Sequence, residues 1–207
     1  MSSNIPEFTE DEYDFLGEIT NMAMGQAGSA LAEFLEVFVE LSVPMVKIVE
    51  AGQIIPVLSD MTKEYKEVSA TRQAFYNSIS GEVISLFNKD ACVAVADLMG
   101  YDEQLDPAKE EELILELSNI LVGACINGLG GLIKTEVSFS KPAILCERMP
   151  IKDLLNSVFA PEKLNWDYTL MLKVDFKLEE REFKSDLLIF MSDESIEVLR
   201  NSSDKFL

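Results

Sequence analysis

The feature that most constrains this chain is a pattern it contains twice. Asp14, Glu18, Asn21 and Pro44 fit D-x3-E-x2-N-x22-P, and 98 residues later Glu112, Glu116, Asn119 and Pro142 fall at the same intervals. Gly25 is answered by Gly123, and Ser42 by Ser140. A repeat of this length calls for two similar folding units. The 207 residues therefore suit one domain over 1–207, built from halves spanning about 8–100 and 107–207.

The first copy opens with a helix signal. Thr9 precedes Glu10, Asp11 and Glu12, a capping residue followed by acids in the first turn. The helix is expected to run to about Glu36. At about 100° per residue, Phe15, Leu16, Ile19, Ala23, Ala27 and Ala30 gather on a core side. Asp14, Glu18, Asn21, Gly25, Gly28 and Ser29 gather opposite, so Glu18 and Asn21 are neighbours on the helix surface. Interior glycines cost roughly 1 kcal/mol each relative to alanine, a sign that something comes close to that face.

The rest of the half reads as a strand over Val37–Val43 ending near Pro44, a short helix within Gly52–Met61 broken by Pro56, strands over Glu67–Tyr76 and Glu82–Phe87, and a helix from Asp90 closed by Gly100. An acidic linker, Tyr101–Pro107, leads to the second copy. There the helix Glu110–Ile133 places Leu113, Leu117, Leu121 and Gly128 inward, and Glu112, Glu116, Asn119, Gly123, Asn127 and Gly130 outward. A strand over Thr135–Ser140, a short helix Ile151–Phe159, a hairpin of Tyr168–Leu178 and Phe183–Phe190 turning around Glu179–Arg181, and a last helix from Asp193 follow. Leu86, Phe87 and Asp90 match Ile189, Phe190 and Asp193 at an offset of 103, an insertion of about five residues. The fold class expected is α/β (α+β): a pseudo-twofold duplication of a helix-strand-hairpin-helix unit on one largely antiparallel sheet.

A formal charge of -20 with no histidine argues against nucleic acid and against an anionic membrane, since both reward Lys and Arg. No uncharged apolar run is long enough to span a bilayer and the N-terminus is acidic, so a cytoplasmic location is expected. Cys92, Cys125 and Cys146 lack metal-ligand spacing and read as reduced core thiols. The glycines from Gly123 to Gly131 resemble a phosphate loop in composition only, for no Lys-Ser/Thr follows them.

The run Glu18-Ile19-Thr20-Asn21-Met22-Ala23-Met24-Gly25, with Pro44, resembles the signature of the CheC/CheX/FliY family of phosphatases that act on the phosphorylated chemotaxis regulator CheY. Glu116 to Gly123, with Pro142, resembles it as well. The length and two sites look like CheC; FliY and FliM would carry a further C-terminal switch domain, for which there is no room after Leu207.

The resemblance implies a helix laid across the partner's acyl phosphate, with Asn21 and Asn119 orienting the attacking water. Glu18 and Glu116 would pair with the partner's lysine. An amide is a poor base, so the acceleration would come from positioning, and no covalent intermediate forms on this chain. No cofactor is expected in this protein; Mg²⁺ belongs to the receiver. Asp14, Gly25, Glu112 and Gly123 would form the docking surface, together with Leu115 and Ile126. These last two replace Gly17 and Gly28 and predict a more apolar second rim. The other class of function is a binding module for a CheD-type receptor deamidase or for the receiver itself. A flagellar-switch scaffold is a third.

Overall fold

The structure, a computed structural model, describes residues 8–100, 106–164, 166–178 and 181–203. The expected linker over 101–105 and most of the turn at Glu179–Arg181 lie outside these residues. In chain order the elements are α1 (Glu10–Leu35), β1 (Val39–Leu41), β2 (Met45–Glu50), α2 (Ile54–Met61), β3 (Glu67–Asn77), β4 (Gly81–Asn88) and α3 (Ala91–Leu98). The second half supplies α4 (Pro107–Leu132), β5 (Val137–Phe139), β6 (Ala143–Pro150), α5 (Ile151–Val158), β7 (Tyr168–Leu178), β8 (Lys184–Met191) and α6 (Asp193–Ser203).

The two long helices start where local chemistry dictates. The Glu12 N–H donates to the Thr9 hydroxyl at 3.2 Å while the Thr9 N–H donates to the Glu12 carboxylate at 2.6 Å, a reciprocal capping box. α4 begins with Pro107 after Asp106, whose carboxylate accepts the Lys109 N–H at 2.9 Å. Left-handed residues follow each helix, Glu36 at φ 55° and Lys134 at φ 57°, so even the terminations are repeated. Pro56 does not break α2, because it falls in the first turn, where its missing N–H has no partner to lose.

All eight strands form one antiparallel sheet in the order β1-β7-β8-β4-β3-β5, with β2 also on β7 and β6 also on β3. The halves therefore interlock: β1 and β2 complete the edge of the second hairpin, and β5 and β6 that of the first. Strands β2 and β6 are absent from the sequence reading, which stops each edge strand at its proline. In fact the chain resumes on the same neighbour. At the break, the Ser42 N–H donates to the Asp175 carbonyl at 3.1 Å and the Asp175 N–H donates to the Ser42 hydroxyl at 3.0 Å. Ser140 does the same with Ala74, at 2.9 and 3.0 Å. Pro44 and Pro142 then sit where the ladder is already interrupted and no N–H is needed. The repeated Ser and Pro are thus strand architecture rather than chemistry.

One face of the sheet buries Leu172, Val174, Phe176, Phe87, Leu187 and Ile189 under α1, α4, α3 and α6; the other buries Leu86, Met171, Leu188 and Phe190 under α2 and α5. Leu86 and Ile189, matched in sequence at an offset of 103, lie on opposite faces. The ladders pair Phe75 with Gly81 and Phe176 with Ser185, which sets β8 104 residues after β4. The sequence match is one residue short, and a slip of one residue reverses every side chain. By length and composition α4 could cross a membrane, but its apolar side is buried under α1 and against the sheet, as in a core helix. The three cysteines are buried free thiols, and burial pushes Cys92 up to about 12.

Beneath the helices the twofold is imperfect. Ser118 on α4 meets Thr71 at 2.6 Å and Ser85 at 3.1 Å, hydroxyl to hydroxyl. Its counterpart on α1, Thr20, is fully buried and its hydroxyl has no partner among the described residues. Thr20→Val keeps the shape and removes the orphan, so it is expected to raise stability by about 1 kcal/mol in urea unfolding.

Candidate active site

α1 and α4 pack against each other and leave the predicted seams facing outward. Asp14, Glu18 and Asn21 are exposed on α1, as are Glu112, Glu116 and Asn119 on α4. Their spacing puts each Asn one turn from its Glu, with Gly25 and Gly123 one turn further.

The glycines divide into two kinds. A Cβ at Gly28 would come within 2.8 Å of Leu41, at Gly128 within 3.0 Å of the Ala23 backbone, and at Gly130 within 2.8 Å of Val137. These three are packing glycines. Gly28 and Gly130 are buried, so they do not belong to the outward face on which the helical wheel places them. A Cβ at Gly25 or Gly123, in contrast, would meet nothing within 4 Å. Nothing in this chain's own packing demands glycine there, and both lie on the outward face beside an Asn.

The expected rim of the second seam needs correction. Ile126 is fully buried in the core, and Leu115 is half-buried. The wheel puts both at the seam's edge, but the close crossing of α1 and α4 covers that edge at Ile126. It is the first seam that carries exposed apolar groups, Met22 at 51% and Tyr13 at 38% exposure. Met22 lies one turn after Glu18, a position whose outward aim follows from helical spacing and which the reading from sequence passed over.

The seams also differ in what holds the Asn. Gln73 on β3 donates from Nε2 to the Asn119 Oδ1 at 3.2 Å and to the Ser140 carbonyl at 3.0 Å. Position 73 belongs to the first half and reaches the second site only because the halves interlock, so no pattern near Asn119 announces it. Asn21 has no such tether among the described residues.

The comparison with known proteins adds the family. The model of the CheC-like family matches residues 12–48, the stretch holding the first Glu/Asn pair and Pro44. Over this stretch the chain is similar to the CheC-like family, and its further likenesses lie with FliY and CheX proteins. It is 23% identical over 180 residues to the flagellar motor switch phosphatase FliY of Bacillus subtilis (strain 168). That match covers 84% of the chain and 44% of the relative, so the chain spans less than half the length of the curated protein it resembles.

Solved structures share the fold. Thermotoga maritima FliY matches at a TM-score of 0.71 and 20% identity, over 97% of this chain and 99% of that one. The chemotaxis protein CheX from Desulfovibrio desulfuricans matches at 0.56 and 12% identity, over 84% and 99%. The FliM middle domain of Vibrio alginolyticus matches at 0.59 and 14%, over 91% and 99%.

Proposed function

We propose that this protein hydrolyses the aspartyl phosphate of a CheY-like receiver domain, ending its signal in the cytoplasm. The observation that carries this reading is the pair of exposed Glu/Asn couples, each beside a glycine that opens the helix surface and that internal packing does not require. Water attacks phosphorus, the bond between phosphorus and the aspartyl oxygen breaks, and the products are phosphate and a free carboxylate. The receiver supplies the acyl phosphate, its Mg²⁺ and a lysine. This chain supplies Asn21 or Asn119 to orient the water and Glu18 or Glu116 to take the lysine, so the gain is one of positioning. The relative FliY is a flagellar motor switch phosphatase, which supports reading this chain as a phosphatase.

The test is the decay of a phosphorylated CheY-type receiver with Mg²⁺, with and without the protein. Faster decay supports the reading. If several cognate receivers decay unchanged, a binding role toward a receiver or a CheD-type deamidase takes its place.

The open glycines yield a second test. Gly25→Ala and Gly123→Ala each replace a helix-interior glycine facing open space, and each is expected to stabilise the fold by about 0.5–1 kcal/mol. If a partner backbone lies against that surface, the same methyl groups raise KM for the phosphorylated receiver. Higher stability with unchanged KM would remove these glycines from the docking surface.

A further inference from the structure

We propose that Gln73 is a positioning residue that presets the carboxamide of Asn119, so that the second seam is aimed in advance while the first is not. This rests on the phosphatase reading and concerns how that reaction is tuned. Gln73 is buried at 1% exposure beneath the outer end of the site, and both its amide hydrogens are committed, to Ser140 and to Asn119.

The direction of the chain of bonds follows from what each group can do. The Ser140 carbonyl only accepts, so the nitrogen end of Gln73 must face it. The remaining N–H then requires an acceptor, and Asn119 must offer Oδ1 rather than Nδ2. Asn119 is left with its Nδ2 donors and one Oδ1 lone pair free for a water. The anchor does not move, because the backbone N–H and hydroxyl of Ser140 are both engaged with the Ala74 backbone on β3.

Two comparisons within the molecule favour a role over simple packing. The Gln73 Oε1 is buried without a partner among the described residues, a cost that sheet interiors ordinarily avoid. At the position related by the strand registers, β7 carries Val174, apolar and fully buried, beneath the Asn21 site. The sheet therefore accepts an aliphatic side chain here, and glutamine is the departure. What that departure achieves is the fixed orientation of Asn119, and rules of local consistency are most often broken at functional sites. Val174 has no donor to offer, so Asn21 must be ordered when the receiver docks.

The experiment places Gln73→Leu in two single-site proteins, Asn21→Ala and Asn119→Ala, and measures kcat and KM for decay of a phosphorylated CheY-type receiver with Mg²⁺. The order of the Asn119 side-chain NH2 is followed by NMR in the free protein. In the Asn21→Ala protein the change is expected to lower kcat by about tenfold with KM little altered, the worth of one hydrogen bond. In the Asn119→Ala protein it changes neither. The Asn119 NH2 becomes more mobile, and Tm does not fall. Equal losses in both proteins, an unchanged kcat at the second site, or an unchanged Asn119 NH2 would each overturn the proposal. A wild-type protein that accelerates no receiver overturns the phosphatase reading and this role with it, and that control separates the two failures.

Discussion

The protein carrying both Asn21→Ala and Asn119→Ala is expected to leave the receiver's phosphate to its spontaneous decay, a loss of about 10²-fold if water orientation supplies the acceleration. Both side chains are exposed on helix interiors, where alanine is the better helix former. This offsets part of the cost of leaving the buried Gln73 N–H without its Asn119 acceptor. Urea unfolding of the variant, expected to lie within about 1–2 kcal/mol of wild type, separates lost chemistry from lost fold. The single variants rank the sites. Asn119 is held by Gln73 and Asn21 is not, so Asn119→Ala is expected to lower kcat more. Met22 and Tyr13 give the first seam more apolar contact surface, and Met22→Ala is expected to act through KM. A double variant retaining full activity would remove the asparagines from the mechanism.

Lys173→Met is expected to cost about 3–5 kcal/mol near pH 8 and clearly less near pH 5, in urea unfolding at both. On the face under α2 and α5, Asp186 is fully buried, takes the Tyr65 hydroxyl at 2.7 Å and meets the Lys173 ammonium at 3.1 Å, which also contacts Asp175. Burial pushes the Asp186 carboxyl up to about 6 from its ordinary value of 3.8, against the pull of Lys173. Its folded value is thus raised, so the folded state holds more protons than the unfolded chain between those limits. Stability from this group is full below the unfolded value and declines as pH rises through the folded one. Without Lys173 the folded value climbs further: near pH 8 a bare carboxylate is left buried, whereas near pH 5 it is protonated. Equal losses at the two pH values would show that the ammonium acts by packing alone.

This ion pair has a twin. Arg72 and Glu82 stand at the register-related positions of β3 and β4 and form a bidentate pair that is nearly half exposed. The sequence hides the relation because the offset between copies changes from 98 at the seams to 101 and 104 in the strands. Insertions in loops shift the numbering while the ladder keeps the geometry. The same cause explains the misaligned match of Leu86 with Ile189, since a short apolar run aligns equally well one residue away.

The sequence alone determined the parts governed by local chemistry. The capped helix at Thr9, the proline start of α4, both hairpins and the outward aim of Glu18, Asn21, Glu116 and Asn119 all follow from side chains within a turn or two of one another. The tertiary structure decided the rest. Whether Ile126 reaches the surface depends on how closely α1 and α4 approach, and that is set by Gly128 against Ala23. Whether the chain continues past Pro44 and Pro142 as strand depends on a distant neighbour, 133 residues from Ser42 in the first copy and 66 from Ser140 in the second. And Gln73 meets Asn119 only because strands of each half complete the sheet of the other, a long-range pairing of backbone hydrogen bonds that no local pattern encodes.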